Sequence, residues 1–196
     1  DTILQYLKDE EWNKWDELVM FNDTFFGPIH PFEKVFSVME KQEVDFWGLC
    51  RHPQWGDIYG YEVVTHIQSY FLVVNKGMLS GLQFLNFWES LDYSETLIET
   101  IINFEIQFTT YFAQEGYTYT SYVDAVGASD LIECKGNPAL KNAFKLLEEI
   151  EYPVVKKKCL QWLYFSEAKK VFDYVKEHSL YEIDIIYKNL KRKYVY

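Results

Sequence analysis

Two carboxylates stand where a charge needs a reason. Glu105 shares a helical stripe with Ile98, Ile101, Phe108 and Phe112, so the spacing turns it toward an apolar side. A charge there is costly unless it is paired or put to use. Burial raises a carboxyl pKa, which suits a group that must take a proton near neutral pH. The competing reading is a glutamate at the edge of the stripe, its stem packed and its head in water or on a lysine. Asp23, with Asn22, ends the apolar run Leu18-Val19-Met20-Phe21, and Phe25-Phe26 and Gly27-Pro28 then turn the chain. The run reads as a fully buried strand, and a carboxylate at such a strand end faces the crevice where α/β proteins hold ligands. It suits a sugar hydroxyl or a divalent metal, although one carboxylate is a meagre ligand set. The alternative there is an Asx-turn. His66 and Gln68 open the run HIQSYFLVVN (66–75), where alternation points both to one side, and Ser69 follows. They suit a polar ligand or the solvated end of a strand. Ser69 has no His and Asp partners in a nucleophile motif.

The elements that must hold these groups follow from pattern. Residues 2–15 place Ile3, Leu4, Leu7, Glu11 and Trp15 near helical spacing. A helix over 31–41 has Pro31 at its first position and Phe32, Val35, Phe36 and Met39 on its apolar face. DFWGL (45–49) is a short strand, and 50–61 is a loop of the composition found facing ligands. The strongest strand is 66–75. Helices follow over 82–91 and 95–115, the second closed by Gly116 at a left-handed cap. After a strand over 117–122 and a loop over 123–137, Pro138 starts a helix that runs to Ile150. Helices over 166–178 and 179–196 complete the chain, with Ser179 and Glu182 at capping-box spacing. Strands alternating with helices imply an α/β domain over 1–137 and a helical extension over 138–196.

Composition narrows the function classes. The net charge of -11 excludes a general nucleic-acid binder, which needs a basic face. The charge is uneven: 7 Lys/Arg stand against 22 Asp/Glu in 1–140, and 12 against 8 in 141–196. The basic end is a solvated helix face or a contact for an anionic membrane surface. Cys50, Cys134 and Cys159 show neither zinc spacing nor a disulfide framework, which fits a reducing cytoplasm. No apolar run approaches the ~18 residues that span a bilayer. Aromatic residues make up 19% of the chain, enough to stack on sugar rings as well as fill a core, and Trp47, Trp55 and Tyr59 are placed for that role.

Four segments carry a resemblance: FNDTFFGPI (21–29), DFWGL (45–49), HIQSYFLVV (66–74) and FEIQFTTYFAQEGY (104–117), with YPVVKKKCL (152–160) as a weaker fifth. In this order they resemble the rhamnan-synthesis F proteins of bacterial cell-wall and capsular polysaccharide assembly. The resemblance implies a glycosyltransferase with a GT-A-like mixed sheet flanked by helices, and an activated deoxysugar donor such as dTDP-L-rhamnose. It places Asn22-Asp23 where GT-A enzymes carry the strand-end DxD motif, with Mn²⁺ or Mg²⁺ on Asp23. Glu105, on a helix followed by Gly116-Tyr117, matches the base of inverting enzymes. The sequence departs from the DxD motif, and it has Phe104-Glu105 in place of the usual Glu-Asp pair. The chain then corresponds to the acceptor-side half of the catalytic domain, without the initial βαβ units that grip the nucleotide.

The expected activity is sugar transfer from a nucleotide-sugar to a lipid-linked glycan at the inner membrane face. Asp23 orients the donor, Glu105 acts as base, and Asn22, His66, Gln68 and Ser69 position substrate. The alternative is a non-catalytic module that binds polysaccharide or scaffolds its assembly. The basic segment, with Lys156, Lys157, Lys158, Lys188, Lys191, Arg192 and Lys193, should bind anionic liposomes weakly and release in high salt, at about 1 kcal/mol per near-surface basic residue. Co-sedimentation at low and high ionic strength measures this, and no binding at low salt removes the peripheral-membrane reading.

Overall fold

The computed structural model describes residues 3, 5, 14–58, 60–92, 94–162 and 165–193. Most of the helix expected over 2–15 lies outside them, as does Tyr59. In chain order come β1 (Glu17–Phe21), β2 (Phe25–Phe26), α1 (Phe32–Met39), β3 (Phe46–Gly48), β4 (Arg51–His52), β5 (Asp57–Ile58) and β6 (Tyr61–Glu62). Next are β7 (His66–Ile67), β8 (Phe71–Asn75), α2 (Lys76–Leu79) and α3 (Leu82–Ser90). A long helical run, α4, has three consecutive pieces: Leu97–Thr100, a π-helical Ile101–Ile106, and Gln107–Gln114. It is followed by β9 (Tyr119–Ser121) and α5 (Tyr122–Ala125). The remainder is α6 (Pro138–Lys141), α7 (Ala143–Ile150), β10 (Val155–Lys156), α8 (Lys157–Trp162), α9 (Phe165–His178) and α10 (Ile183–Lys193).

A four-stranded sheet in the order β1-β8-β3-β9 forms the centre, and helices cover its faces. β8 runs antiparallel to both β1 and β3, while β9 joins β3 in parallel, so the sheet is mixed. Period-two alternation divides β8 between two apolar cores. Phe71 and Val73 face Val35 and Met39 of α1, with Tyr122 and Ile132; Leu72 and Val74 face Met78, Phe84, Phe108 and Phe112. This two-sided burial is why β8 reads as an unbroken apolar run. A third core joins Phe26, Ile29 and Val155 to Leu147, Val171 and Ile186 of the helical end.

Several sequence expectations change here. β1 is not fully buried: it is an edge strand paired with β8 alone, Leu18 and Met20 pack inward, and Phe21 is 68% exposed. Pro31 caps α1 from outside instead of opening it. The helix expected over 138–150 breaks at Asn142, whose amide donates to Leu131 O at 2.6 Å. The last helix begins at Ile183 because Ser179 Oγ accepts from Tyr181 N at 2.9 Å, a local turn in place of a capping box. α4 behaves as its pattern indicates. Thr96 and Glu99 form a capping box, and Gly116 at φ 89° lets Tyr117 N–H reach Phe112 O at 2.9 Å. The position expected to divide two domains, near residue 137, is bridged by a buried hydroxyl pair, Tyr70–Tyr152, and by Tyr122 Oη donating to Ile150 O at 3.1 Å.

Gly48 sits where β3 passes under the start of β8. A methyl group there would lie 2.3 Å from Ile67 Cγ2 and 2.8 Å from Phe71 O, and the second of these is backbone. Gly48→Ala should therefore destabilise the chain by about 1–3 kcal/mol or more. Urea unfolding measures it; an unchanged midpoint would mean that β3 and β7 separate easily.

Candidate functional site

The expected continuous strand over 66–75 is broken at Gln68–Tyr70, and the break builds the site. On one edge of this segment Gln68 N donates to Cys50 O at 3.0 Å. On the other edge its backbone donors go to side chains of α4. Ile67 N donates to Thr109 Oγ1 at 2.9 Å, and Ser69 N donates to Glu105 Oε2 at 2.8 Å. Ser69 Oγ adds a second bond to the same oxygen at 2.6 Å. Glu105 and Thr109 are four residues apart and so lie on one face of α4. Glu105 belongs to the π-helical piece, a distortion that recurs at functional positions in helices.

Behind Glu105 lies His66, which is buried and does not reach the cavity. Val64 O can only accept, so His66 Nδ1, 2.7 Å away, carries a proton. Nε2 faces Glu105 Oε1 at 3.5 Å without a hydrogen bond. The His52 ring stacks on His66 at 5.3 Å and 3° between planes, and burial pushes the His52 pKa down. Gln68 is fully buried as well. Its Oε1 accepts from Asn137 Nδ2 at 2.8 Å, and its Nε2 meets Cys50 Sγ at 3.4 Å. Alternation therefore does not present His66 and Gln68 to a ligand side by side; each braces a group that does face the cavity.

The cavity holds about 400 Å³. Ser69, Tyr70 and Glu105 form one wall, Asn22, Asp23 and Thr24 the rim, and Asn137, Lys156, Lys157 and Gln161 the facing side. A wider groove of about 1070 Å³ between α1 and the segment before α10 has none of these buried polar groups. Trp47 is no stacking surface: it is buried between Phe36 and Phe71, with ring centroids 5.4 and 6.0 Å away. Trp55 is half exposed on the 51–63 loop, away from the cavity. Lys156 and Lys157, read from sequence as part of a basic surface, line the cavity, whereas Lys188 and Lys191 are exposed on α10. A lysine directly after Pro153-Val154-Val155 was the available signal.

The electrostatics reverse one expectation. Burial does push the Glu105 carboxyl up, but the neighbouring His66, the hydrogen bonds of Ser69 and the charge of Lys156 outweigh it and hold the pKa at about 2. Glu105 is thus a fixed anion, not a carboxyl raised toward neutrality. Asp23 is nearly fully exposed, 3.4 Å from Lys157 Nζ. The Asx-turn reading holds for its neighbour: Asn22 Oδ1 accepts from Thr24 N at 3.1 Å and Thr24 Oγ1 at 2.6 Å. These residues do not fit a divalent cation. One exposed carboxylate beside an ammonium, with the adjacent amide oxygen already engaged, lacks the several free oxygens that Mg²⁺ or Mn²⁺ gathers. Among the described residues no group of three or more His, Cys, Asp or Glu side chains could hold a metal ion.

The segments that meet at this cavity lie far apart in the chain, and a known family spans all of them. The family model for rhamnan synthesis protein F matches residues 2–195. The chain belongs to this family. No curated protein and no solved structure matches it. In this member of the family, 21–29, 66–74, 104–117 and 152–160 all supply residues to one cavity of a mixed α/β fold. Among the described residues no helix is long and apolar enough to cross a membrane.

Because the folded pKa of Glu105 lies below its unfolded value of 4.5, its contribution to stability is present above pH 4.5 and is lost as pH falls toward 2. Glu105→Gln should lower stability at pH 7 by on the order of 2–3 kcal/mol. The gap between variant and wild type should narrow from pH 5 downward. Urea unfolding at several pH values reads both, and a gap independent of pH would show that Glu105 is not held as an anion.

Proposed function

We propose that this chain forms part of a GT-A-like glycosyltransferase, moving rhamnose or a related deoxysugar from a nucleotide-sugar to a growing, lipid-linked cell-surface polysaccharide. The observation that carries the reading is the Glu105 carboxylate, anchored through Oε2 by Ser69 while it lines a cavity large enough for a sugar. A carboxylate has about four acceptor sites; Ser69 takes two on Oε2 and His66 stands 3.5 Å from Oε1, so acceptor capacity on Oε1 remains for a ligand. An acceptor hydroxyl donating to Oε1 is oriented for attack on the anomeric carbon. As the new C–O bond forms, the bond to the diphosphate breaks and the leaving group keeps the electron pair. The hydroxyl proton grows far more acidic at the same time, so a carboxylate with a pKa near 2 suffices to receive it late in the step. Prior deprotonation of the hydroxyl is not its task. His66 and Gln68 are positioning residues in this scheme, and Asp23 and Asn22 meet outer hydroxyls at the rim. Family membership supports the pathway, and cytoplasmic transfer at a membrane face agrees with a nucleotide-sugar donor.

The low pKa of Glu105 favours a second reading, a polysaccharide-binding or scaffold module in which the carboxylate only accepts sugar hydroxyls. Turnover decides between them. The protein should transfer sugar from a deoxysugar nucleotide, and Glu105→Gln should lose roughly 10²–10⁴-fold in rate, assayed well below its unfolding midpoint. Asp23→Asn, at an exposed position, should lower turnover with no change in that midpoint. No turnover with any nucleotide-sugar, with glycan binding retained, establishes the binding module instead.

A further inference from the structure

Lys156 makes no ion pair among the described residues, and the Glu105 carboxylate acts on it only from farther away. Lys156 sits on β10 opposite Phe25, so the ladder fixes its backbone. Its Nζ lies 3.5 Å from Gln68 Oε1, at the limit of a hydrogen bond, and that oxygen already accepts from Asn137. The Tyr70 ring lies 4.2 Å below it. An ammonium carries three donors, and the one long contact to Gln68 leaves most of that capacity for a ligand. Lys157, next along, has the exposed Asp23 at 3.4 Å and the Phe26 ring at 5.7 Å, and Lys158 follows it at the opening.

A second observation is independent of charge. Asn137, Gln161 and Asn189 line the same cavity, and each has a side-chain atom closed to solvent without a hydrogen-bond partner: Asn137 Oδ1, Gln161 Nε2 and Asn189 Oδ1. Native interiors leave few such atoms; Gln161 Nε2 is a donor suited to a ligand oxygen, whereas Asn137 Oδ1 and Asn189 Oδ1 are acceptors suited to the hydroxyls of the same ligand. The carboxylates facing this space, Asp23 and Glu105, are engaged by Lys157 and by Ser69 with His66. What is missing is a group with several acceptor oxygens next to Lys156.

We propose that this cavity holds a diphosphate directly on the ammonium groups of Lys156 and Lys157, with no divalent metal between them. The diphosphate belongs to a nucleoside diphosphate or to an isoprenyl diphosphate; the charge and the acceptor oxygens are common to both. Burial pushes the Lys156 pKa down in the absence of ligand, and a bound anion reverses that by restoring the favourable partner. The role of the diphosphate as leaving group or acceptor anchor rests on the proposed transfer reaction, but its binding does not.

Titration calorimetry of the purified protein with inorganic pyrophosphate in EDTA tests this. Pyrophosphate should bind, added Mg²⁺ or Mn²⁺ should not tighten it, and Lys156→Gln should weaken it by about tenfold or more. Lys156→Met should do the same, and the ligand-free unfolding midpoint of each variant, measured alongside, shows that the loss of binding is not a loss of fold. Displacement of pyrophosphate by thymidine diphosphate assigns the site to the donor, and displacement by geranyl diphosphate assigns it to a lipid-linked substrate. Binding that requires the metal, no binding, or unchanged affinity in both Lys156 variants overturns the proposal. Metal-free pyrophosphate binding without sugar turnover removes the transfer reaction alone. Turnover with metal-dependent diphosphate binding removes this site alone.

Discussion

A carboxylate in a protein interior demands donors, and the arrangement around Glu105 is organised by that demand. The donors come from the backbone and hydroxyl of Ser69, and they are free because the strand ends at Ile67. The strand ends there without loss because Thr109 Oγ1 and Cys50 O satisfy the neighbouring amides. Each backbone donor in the 67–69 segment has a partner, as a buried segment requires. His66, held by Val64 O and stacked on His52, closes the far side. The gap between β7 and β8, the widened turn of α4 and the histidine pair form one device for keeping a single oxygen atom in place.

The same residues show what a sequence conveys. α4, β3 and β8 were legible because their causes are local: a capping box, a glycine after the last turn, and a dense apolar run. The break at Gln68–Tyr70 was not legible, since its cause lies some forty residues further on, in Thr109 and Glu105. β1 misled for another reason. Leu18, Val19, Met20 and Phe21 are apolar on both faces, so the sequence shows no alternation even though the edge strand has an open side. The direction of the Glu105 pKa required knowing its partners, and burial alone points the wrong way.

Charge was the least readable quantity. A run of three lysines in a basic segment looks like surface, and Lys188 and Lys191 are indeed exposed. Lys156 departs from that pattern because it is in a strand, where neighbouring residues take opposite sides. Val155 joins the apolar core of the helical end, and Lys156 is turned toward Tyr70. A chain that is acidic overall thus places basic groups on one wall of an internal space, brought there by an element of two residues.

That small ladder has a consequence for how this site can vary. Val155 pairs with Phe26 and Lys156 with Phe25, and Lys157 N donates to Thr24 O at 2.8 Å. A slip of one residue exchanges the sides of Val155 and Lys156, sending an ammonium into oil and a methyl-bearing side chain into the cavity. Point changes leave this alignment intact, whereas an insertion or deletion within 24–26 or 153–157 inverts it. Length within these two short segments is therefore under tighter constraint than the identity of most residues in them, and the protein can alter its ligand by substitution far more readily than by gaining or losing a residue here.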